Sequence, residues 1–112
     1  SLVEMGFSDA DFAASYDLSR ITKPFTLPNS GKGVAIMASH TRGSDLEIFS
    51  QLDIPCVILT AKDDRVANAD NLQAIIDNAP KGAVVVKDLE GGHMMMEYNP
   101  SLAARLTLDA IK

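Results

Sequence analysis

The 112 residues leave room for one domain. Their 46% apolar and 22% charged residues can build a core, which argues against disorder. With 10 basic against 15 acidic residues the net charge is −5, which argues against nucleic acid or an anionic membrane as partner. The longest apolar run, residues 34–38, is far shorter than the ~20 residues of a membrane span. One cysteine, Cys56, excludes an intrachain disulfide, and no secretory signal is visible, so we expect a cytoplasmic protein.

The first half of the chain predicts a helix, a connection, a strand and a second helix. Residues 8–11 form a capping box, which predicts a short helix over about 9–17. Residues 18–32 contain two prolines and a glycine and are interpreted as an irregular connection. The apolar run over residues 33–38 predicts a buried strand, and a second capping box over residues 44–47 opens a short helix.

The second half predicts two more strands, each followed by a helix. Residues 54–61 predict a second buried strand, and apolar residues spaced along one helical face predict a helix over 69–78. Residues 83–88, β-branched at the centre, predict a third strand. Asn99 followed by Pro100 is typical of a helix start, and a last helix is predicted from Ser101 to the end of the chain.

Continuous apolar strands that alternate with amphipathic helices indicate an α/β fold. We expect a parallel sheet of about three strands, flanked by helices on both faces. The strand–helix units occupy residues 33–112, and residues 1–32 are interpreted as a helix followed by connecting or cap-like chain. In such sheets the chemistry lies at the carboxyl ends of the strands, so the residues that follow each strand are the first candidates.

An acid and a histidine follow two neighbouring strands of the predicted sheet. Asp64 follows the second strand, His93 follows the third, and the helix between them returns the chain to the same edge. A carboxylate that accepts the Nδ1–H of an imidazole fixes its tautomer and leaves Nε2 free to act as a general base. Two glycines before His93 permit a tight turn that a Cβ would obstruct. Asp63 stays open as the alternative acid.

These residues resemble the C-terminal part of an α/β-hydrolase. The resemblance covers about residues 53–112 and includes the run IPCVILTAKDDRV over 54–66, the run LEGGH over 89–93 and a closing helix. In that family the strand before the acid typically reads as a proline followed by apolar residues. The histidine typically follows a glycine and often precedes an acidic residue and a proline, as Glu97 and Pro100 do here. The resemblance implies that Asp64 and His93 are the acid and the histidine of a catalytic triad.

The resemblance also implies a nucleophile upstream of the acid, in a G-x-S-x-G turn between a strand and a helix. No such motif occurs in the 112 residues. The nearest candidate is Ser39, which follows a predicted strand but lacks both glycines and lies one strand too close to the acid. We therefore expect the nucleophile, the oxyanion hole and the first strands in a preceding segment or a partner chain.

On this interpretation the chain supplies the acid and histidine of a serine-type hydrolase, and the 112 residues alone are inactive. The reaction is acyl transfer to water from a small-molecule ester or thioester. The scaffold leaves open amide, epoxide and C–C cleavage, and dehalogenation by an aspartate nucleophile. No cofactor is implied, and no grouping has the spacing of metal ligands. Residues 94–96 and Tyr98 either line an acyl pocket or pack beneath the last helix.

Two other classes of function fit parts of the sequence. A non-catalytic α/β-hydrolase-like interaction module would keep the sheet and lack the nucleophile. A receiver-like signalling domain fits the length, the acidity and the pair Asp63–Asp64 after a strand, but that pair comes too late in the chain. The sequence ahead of Ser1 separates the enzyme from the module, because an upstream G-x-S-x-G would decide for the enzyme.

Overall fold

The computed structural model of the chain describes residues 2–40 and 45–112. Short helices dominate these ranges, and one parallel pair of strands lies in the second half of the chain. In chain order the elements are α1 (Leu2–Gly6), α2 (Ala10–Ser15), α3 (Ser19–Thr22), α4 (Ser30–His40), α5 (Leu46–Ser50), β1 (Val57–Ala61), α6 (Ala69–Asp77), β2 (Val84–Leu89), α7 (Met95–Tyr98) and α8 (Pro100–Ala110). Single 3₁₀ turns cover Lys23–Thr26 and Gly92–Met94.

The β1–α6–β2 unit is the part of the fold that the sequence predicts best. β1 pairs with β2 in parallel, with Val57 opposite Val84 and Leu59 opposite Val86. Between them α6 begins at the N-cap Asn68, whose side chain accepts from two backbone N–H groups of the first turn. β1 begins three residues later than predicted, after Pro55, since proline lacks the N–H that a strand ladder needs.

The pairing of the two strands is irregular at their carboxyl ends. Leu59 lies opposite Val86, but Ala61 lies opposite Leu89, so β2 contains one residue more than β1 over this stretch. The extra residue is accommodated at Asp88, whose φ of 61° lies in the left-handed region. The ladder resumes beyond it, where the N–H of Lys62 donates to the carbonyl of Leu89 at 2.9 Å.

The predicted strand over residues 33–38 is wrong, because this run lies inside helix α4. All of residues 31–40 are exposed, so the run is not buried either. Periodicity does not distinguish a short apolar run in a strand from one in a helix, and alanine and methionine favour the helix here. The described residues therefore form a sheet of two strands rather than about three.

The remaining elements of the first half differ from the prediction in detail. The helix expected over 9–17 is confirmed as α2, with Asp9 as its N-cap. The stretch 18–32 is more regular than predicted, since α3 and a 3₁₀ turn lie within it. The predicted boundary between the segments 1–32 and 33–112 falls inside helix α4. Ser44 of the second predicted capping box lies outside the described residues, and Asp45 is the N-cap of α5.

The best-packed part of the molecule is an aromatic cluster formed by Phe7, Phe12, Tyr16 and Tyr98. Phe7 is 1% exposed, and its ring centroid lies 5.0 Å from those of Phe12 and Tyr16. Tyr98 joins from the other end of the chain, 4.9 Å from Phe12. The cluster therefore attaches the N-terminal helices to the segment that follows β2.

The fold leaves much apolar surface uncovered. The accessible surface is 8267 Å², whereas a compact monomer of this mass exposes about 6,000 Å². The radius of gyration is 15.9 Å, against about 13 Å for a compact chain of this length. Helix α4 contributes to the excess, since its main contact is the 3₁₀ turn Lys23–Thr26. In the described part of the chain, no helix has the length and apolar character needed to span a membrane.

Candidate functional site

Asp64 and His93 meet at the carboxyl end of the sheet, as predicted. Asp64 lies three residues after the end of β1, and His93 lies four residues after the end of β2. The Nδ1 atom of His93 is 3.0 Å from Oδ2 of Asp64, within hydrogen-bond distance. The parallel pairing of the strands thus brings together two side chains that are far apart in the sequence.

The carboxyl group of Asp64 is fixed by the chain that follows it. Its Oδ1 accepts hydrogen bonds from the backbone N–H groups of Val66 and Ala67, each at 2.8 Å, and the side chain is 10% exposed. Partial burial by itself raises the pKa of Asp64, but the bonds from Ala67, His93 and Val66 outweigh it and hold this pKa below its ordinary value. At neutral pH Asp64 is therefore a carboxylate, which can only accept, so Nδ1 of His93 is the donor.

His93 projects from a turn that needs both of its glycines. Gly91 and Gly92 have φ values of 108° and 72°, a region that side chains with a Cβ rarely adopt. The imidazole is 47% exposed, and within residues 4–40 and 45–112 no hydrogen bond occupies Nε2. The ring therefore has one nitrogen bound to a carboxylate and the other available to a substrate or nucleophile, which is the arrangement of a general base.

Asp63, the alternative acid, is not the residue that the structure joins to His93. Its side chain is exposed and makes no hydrogen bond within the described part of the chain. The difference of one residue follows from the turn after β1, where Asp64 accepts from the two N–H groups ahead of it. Asp63 is consequently a matched control for substitutions of Asp64.

The low pKa of Asp64 makes the stability of the chain depend on pH. Folding favours the ionised form of Asp64. The contribution of Asp64 to the free energy of unfolding is therefore fully present above its unfolded pKa near 3.8 and is lost as the pH falls below that value. We expect wild type to be more stable than Asp64→Asn at pH 7 and this difference to shrink below pH 4. Urea unfolding over that pH range measures it. A difference that stays constant, or that Asp63→Asn reproduces, contradicts the assignment.

Ser39, the candidate nucleophile within the chain, lies on exposed helix α4. Its Oγ donates to the carbonyl of Ile36 at 2.8 Å and lies 3.0 Å from Nδ1 of His40, its neighbour in sequence. No hydrogen bond of the described residues joins Ser39 to His93. The structure thus pairs the predicted acid with the predicted histidine and leaves Ser39 outside the pair.

The three methionines after His93 occupy different environments. Met94 packs against the aromatic cluster, Met95 is buried, and Met96 is 62% exposed. Met96 borders an open groove of about 470 Å³ along α8, lined also by Pro100, Ala103, Ala104, Thr107 and Leu108. Met94 and Tyr98 are therefore core residues, whereas Met96 faces the outside.

Sequence reasoning missed the residues that support the histidine turn from behind. An added Cβ at Gly92 would lie 2.8 Å from the backbone nitrogen of Ser8 and 2.9 Å from the carbonyl oxygen of Gly6. The signal was present in the glycine pair, because glycine also occurs where another backbone approaches closely. The sequence does not say which segment approaches, and residues 6–8 lie more than eighty positions away.

The described residues contain no candidate metal centre, and the comparisons with known proteins identify no relative. Among the described residues, histidine, cysteine and acidic side chains nowhere form a group of three that could hold a metal. Cys56 is half-buried just before β1. Comparison of the chain with protein-family models, with curated proteins and with solved structures finds no match, so the resemblance to α/β-hydrolases stays a hypothesis.

Proposed function

We propose that this chain is the C-terminal part of a serine-type α/β-hydrolase that cleaves a small-molecule ester or thioester. In this proposal Asp64 is the triad acid and His93 is the triad base. The observation that carries it is the 3.0 Å contact between Nδ1 of His93 and a carboxylate held by two further hydrogen bonds. This contact fixes one imidazole tautomer and directs the basic lone pair of Nε2 away from the acid.

The chemistry has two halves, and His93 moves the proton in both. As the nucleophile's oxygen bonds to the acyl carbon, its proton passes to Nε2, and Asp64 stabilises the resulting imidazolium without taking the proton. The same proton then passes to the leaving alcohol or thiol as its bond to the acyl carbon breaks. Water repeats the sequence on the acyl-enzyme, and the acid product leaves with the nucleophile reprotonated.

The nucleophile comes from a preceding segment or a partner chain in this proposal. Two features of the described residues support it. No serine hydroxyl hydrogen-bonds to His93, and β2 is the only strand that pairs with β1, so the other edge of β1 is open to a further strand. The large accessible surface also fits a sheet that continues beyond this chain.

A fluorophosphonate probe tests the proposal directly, because it phosphonylates an activated serine and releases fluoride. The reagent is added to the chain together with the segment encoded ahead of Ser1, and the labelled serine is identified by peptide mass spectrometry. We expect one labelled serine outside the 112 residues, with labelling lost in His93→Ala and kept in His40→Ala. Labelling that is independent of His93 contradicts the proposal.

The second candidate is a non-catalytic interaction module built on the same fold. The absence of a serine at His93 among the described residues favours it. The fluorophosphonate experiment separates the two, because a module assembled with its preceding segment takes up no label that depends on His93.

A further inference from the structure

We propose that residues 6–8 position His93, by supporting from behind the glycine turn that carries it. As a role in catalysis this rests on the proposed function, but the geometry it describes does not. From the sequence alone, residues 1–32 are interpreted as a helix followed by connecting or cap-like chain. The described contacts give part of that stretch a specific task at the other end of the molecule.

The first observation is the closeness of the two backbones. Gly92 is buried, and the nearest atoms to a Cβ built on it are the nitrogen of Ser8, the oxygen of Gly6 and the carbonyl carbon of Phe7, at 2.8, 2.9 and 3.2 Å. All three are backbone atoms, so they cannot turn aside as the end of a flexible side chain would. Gly92 directly precedes His93, and any outward shift of the turn moves the imidazole.

The second observation is that residues on both sides of His93 pack against the N-terminal segment. A Cβ at Gly6 would meet Sδ of Met94 at 2.8 Å, so the residue after His93 also packs against this segment. Phe7 lies in the aromatic cluster described above, and the hydroxyl of Tyr98 donates to Oδ2 of Asp9 at 3.2 Å. Residues on either side of His93 are thus held against one N-terminal segment.

A third set of contacts extends the attachment to the following helices. The hydroxyl of Tyr16 donates to Oε2 of Glu97 at 3.2 Å, and Arg20 forms an ion pair with the same oxygen at 2.9 Å. These bonds are partly exposed and contribute little to stability. They do fix the direction from which the N-terminal segment reaches the turn.

The contacts of residues 6–8 with the glycine turn keep His93 in position for its hydrogen bond with Asp64. Asp64 is held by its own turn, through Val66 and Ala67, and does not depend on residues 6–8. His93 is half-exposed, so its ring gains little orientation from burial. Removing the support therefore lets the imidazole leave a carboxylate that stays in place.

The test is Gly92→Ala, with Gly82→Ala as its matched control. Both glycines have a positive φ, of 72° and 83°, so both variants carry the same kind of backbone strain. Only Gly92 has a backbone against it, since a Cβ at Gly82 would have nothing within 4 Å. A specific effect of residues 6–8 therefore appears in Gly92→Ala and not in Gly82→Ala.

The measurement is the tautomer of His93, from long-range ¹H–¹⁵N NMR of uniformly ¹⁵N-labelled protein. The chain has 2 histidines, and His40 on α4 serves as an internal reference. Solution or magic-angle-spinning spectra both give the ring signals, so association of the chain does not prevent the experiment. We expect wild type to be protonated at Nδ1, and Gly92→Ala to lose this preference and shift towards the tautomer mixture of an imidazole that has no hydrogen-bond partner.

Phe7→Leu is the second variant, in case Gly92→Ala does not fold. Leucine keeps the site apolar but removes the ring contacts, so we expect a smaller shift of the same kind. The amide signals of β1 and β2 report whether each variant has folded. Wild-type imidazole signals in whichever of the two variants folds overturn the proposal, and so does an equal shift in Gly82→Ala.

A kinetic arm connects the positioning to the proposed function. In the assembled enzyme, Gly92→Ala should lower kcat for a p-nitrophenyl ester by at least about tenfold and leave KM nearly unchanged, since a misplacement of about 1 Å acts on the chemical step. If the assembled wild type has no hydrolase activity, the proposed function fails while the NMR result still decides the positioning. A normal kcat beside a shifted tautomer overturns the catalytic role alone.

Discussion

Asp64→Asn and His93→Ala should each lower hydrolysis of a p-nitrophenyl ester by about 10³-fold or more in the enzyme assembled with its nucleophile. Asparagine can still accept from Val66 and Ala67 through its oxygen, which leaves its NH₂ group facing Nδ1 of His93. The imidazole must then present an acceptor to it and carry its proton on Nε2, the nitrogen that acts as the base in the proposed triad. His93→Ala removes the base itself.

The double variant gives the sharper result. In the proposed triad the two residues act as one unit, so Asp64→Asn with His93→Ala should cost little beyond the worse single variant, rather than the product of the two effects. Asp63→Asn is the control and should retain nearly full turnover. Full activity in His93→Ala would falsify the proposal, and damage confined to Asp63→Asn would move the acid by one residue. Steady-state kcat and KM at neutral pH measure all four variants.

The second large effect is that the 112 residues alone should be inactive and should associate. Their accessible surface exceeds that of a compact monomer by roughly 2,000 Å², more than twice what one partner buries in a standard interface, about 800 Å². The open edge of β1 presents backbone N–H and C=O groups to any further strand. The exposed apolar residues include Val34, Ile36, Ile48, Ile54 and Leu108.

Light scattering behind size exclusion measures the mass in solution, with a p-nitrophenyl acetate assay beside it. We expect a mass above 12.0 kDa and no hydrolysis above a His93→Ala control. A well-behaved monomer that hydrolyses the ester above that control contradicts the prediction and makes Ser39→Ala the next variant. Adding the segment ahead of Ser1 then distinguishes the enzyme, which gains activity, from the module, which does not.

The sequence predicts the β1–α6–β2 unit because three independent patterns agree there. The strands are continuous apolar runs, the helix has one apolar face, and Asn68 caps it. Parallel strands joined by a helix end at the same edge, so the meeting of Asp64 and His93 follows from topology before any distance is known. The start at Pro100 is equally local, since Asn99 caps α8 and proline suits its first position.

The errors arise where local pattern leaves two structures nearly equal. The run over residues 33–38 is compatible both with a buried strand and with a helix. Which of the two forms depends on whether a neighbouring strand is present to pair with it. The support behind Gly92 depends on Phe7 and Ser8, which no periodicity connects to a turn more than eighty residues away. Long-range packing of this kind is a property of the folded chain, not of any window of the sequence.

Because β2 contains one extra residue, the location of the His93 imidazole depends on the number of residues between the strand and the turn. Side chains alternate between the two faces of a strand, so removing one position near Asp88 would turn Leu89 to the opposite face and change the reach of the chain to His93. Exchanging the exposed side chain of Lys87 leaves that reach intact. We therefore expect natural variants to differ in residue type at exposed positions such as Lys87 and to keep the number of residues over 86–93 constant. We expect insertions and deletions to be tolerated better in connections such as 78–83, which lie at the opposite end of the strand.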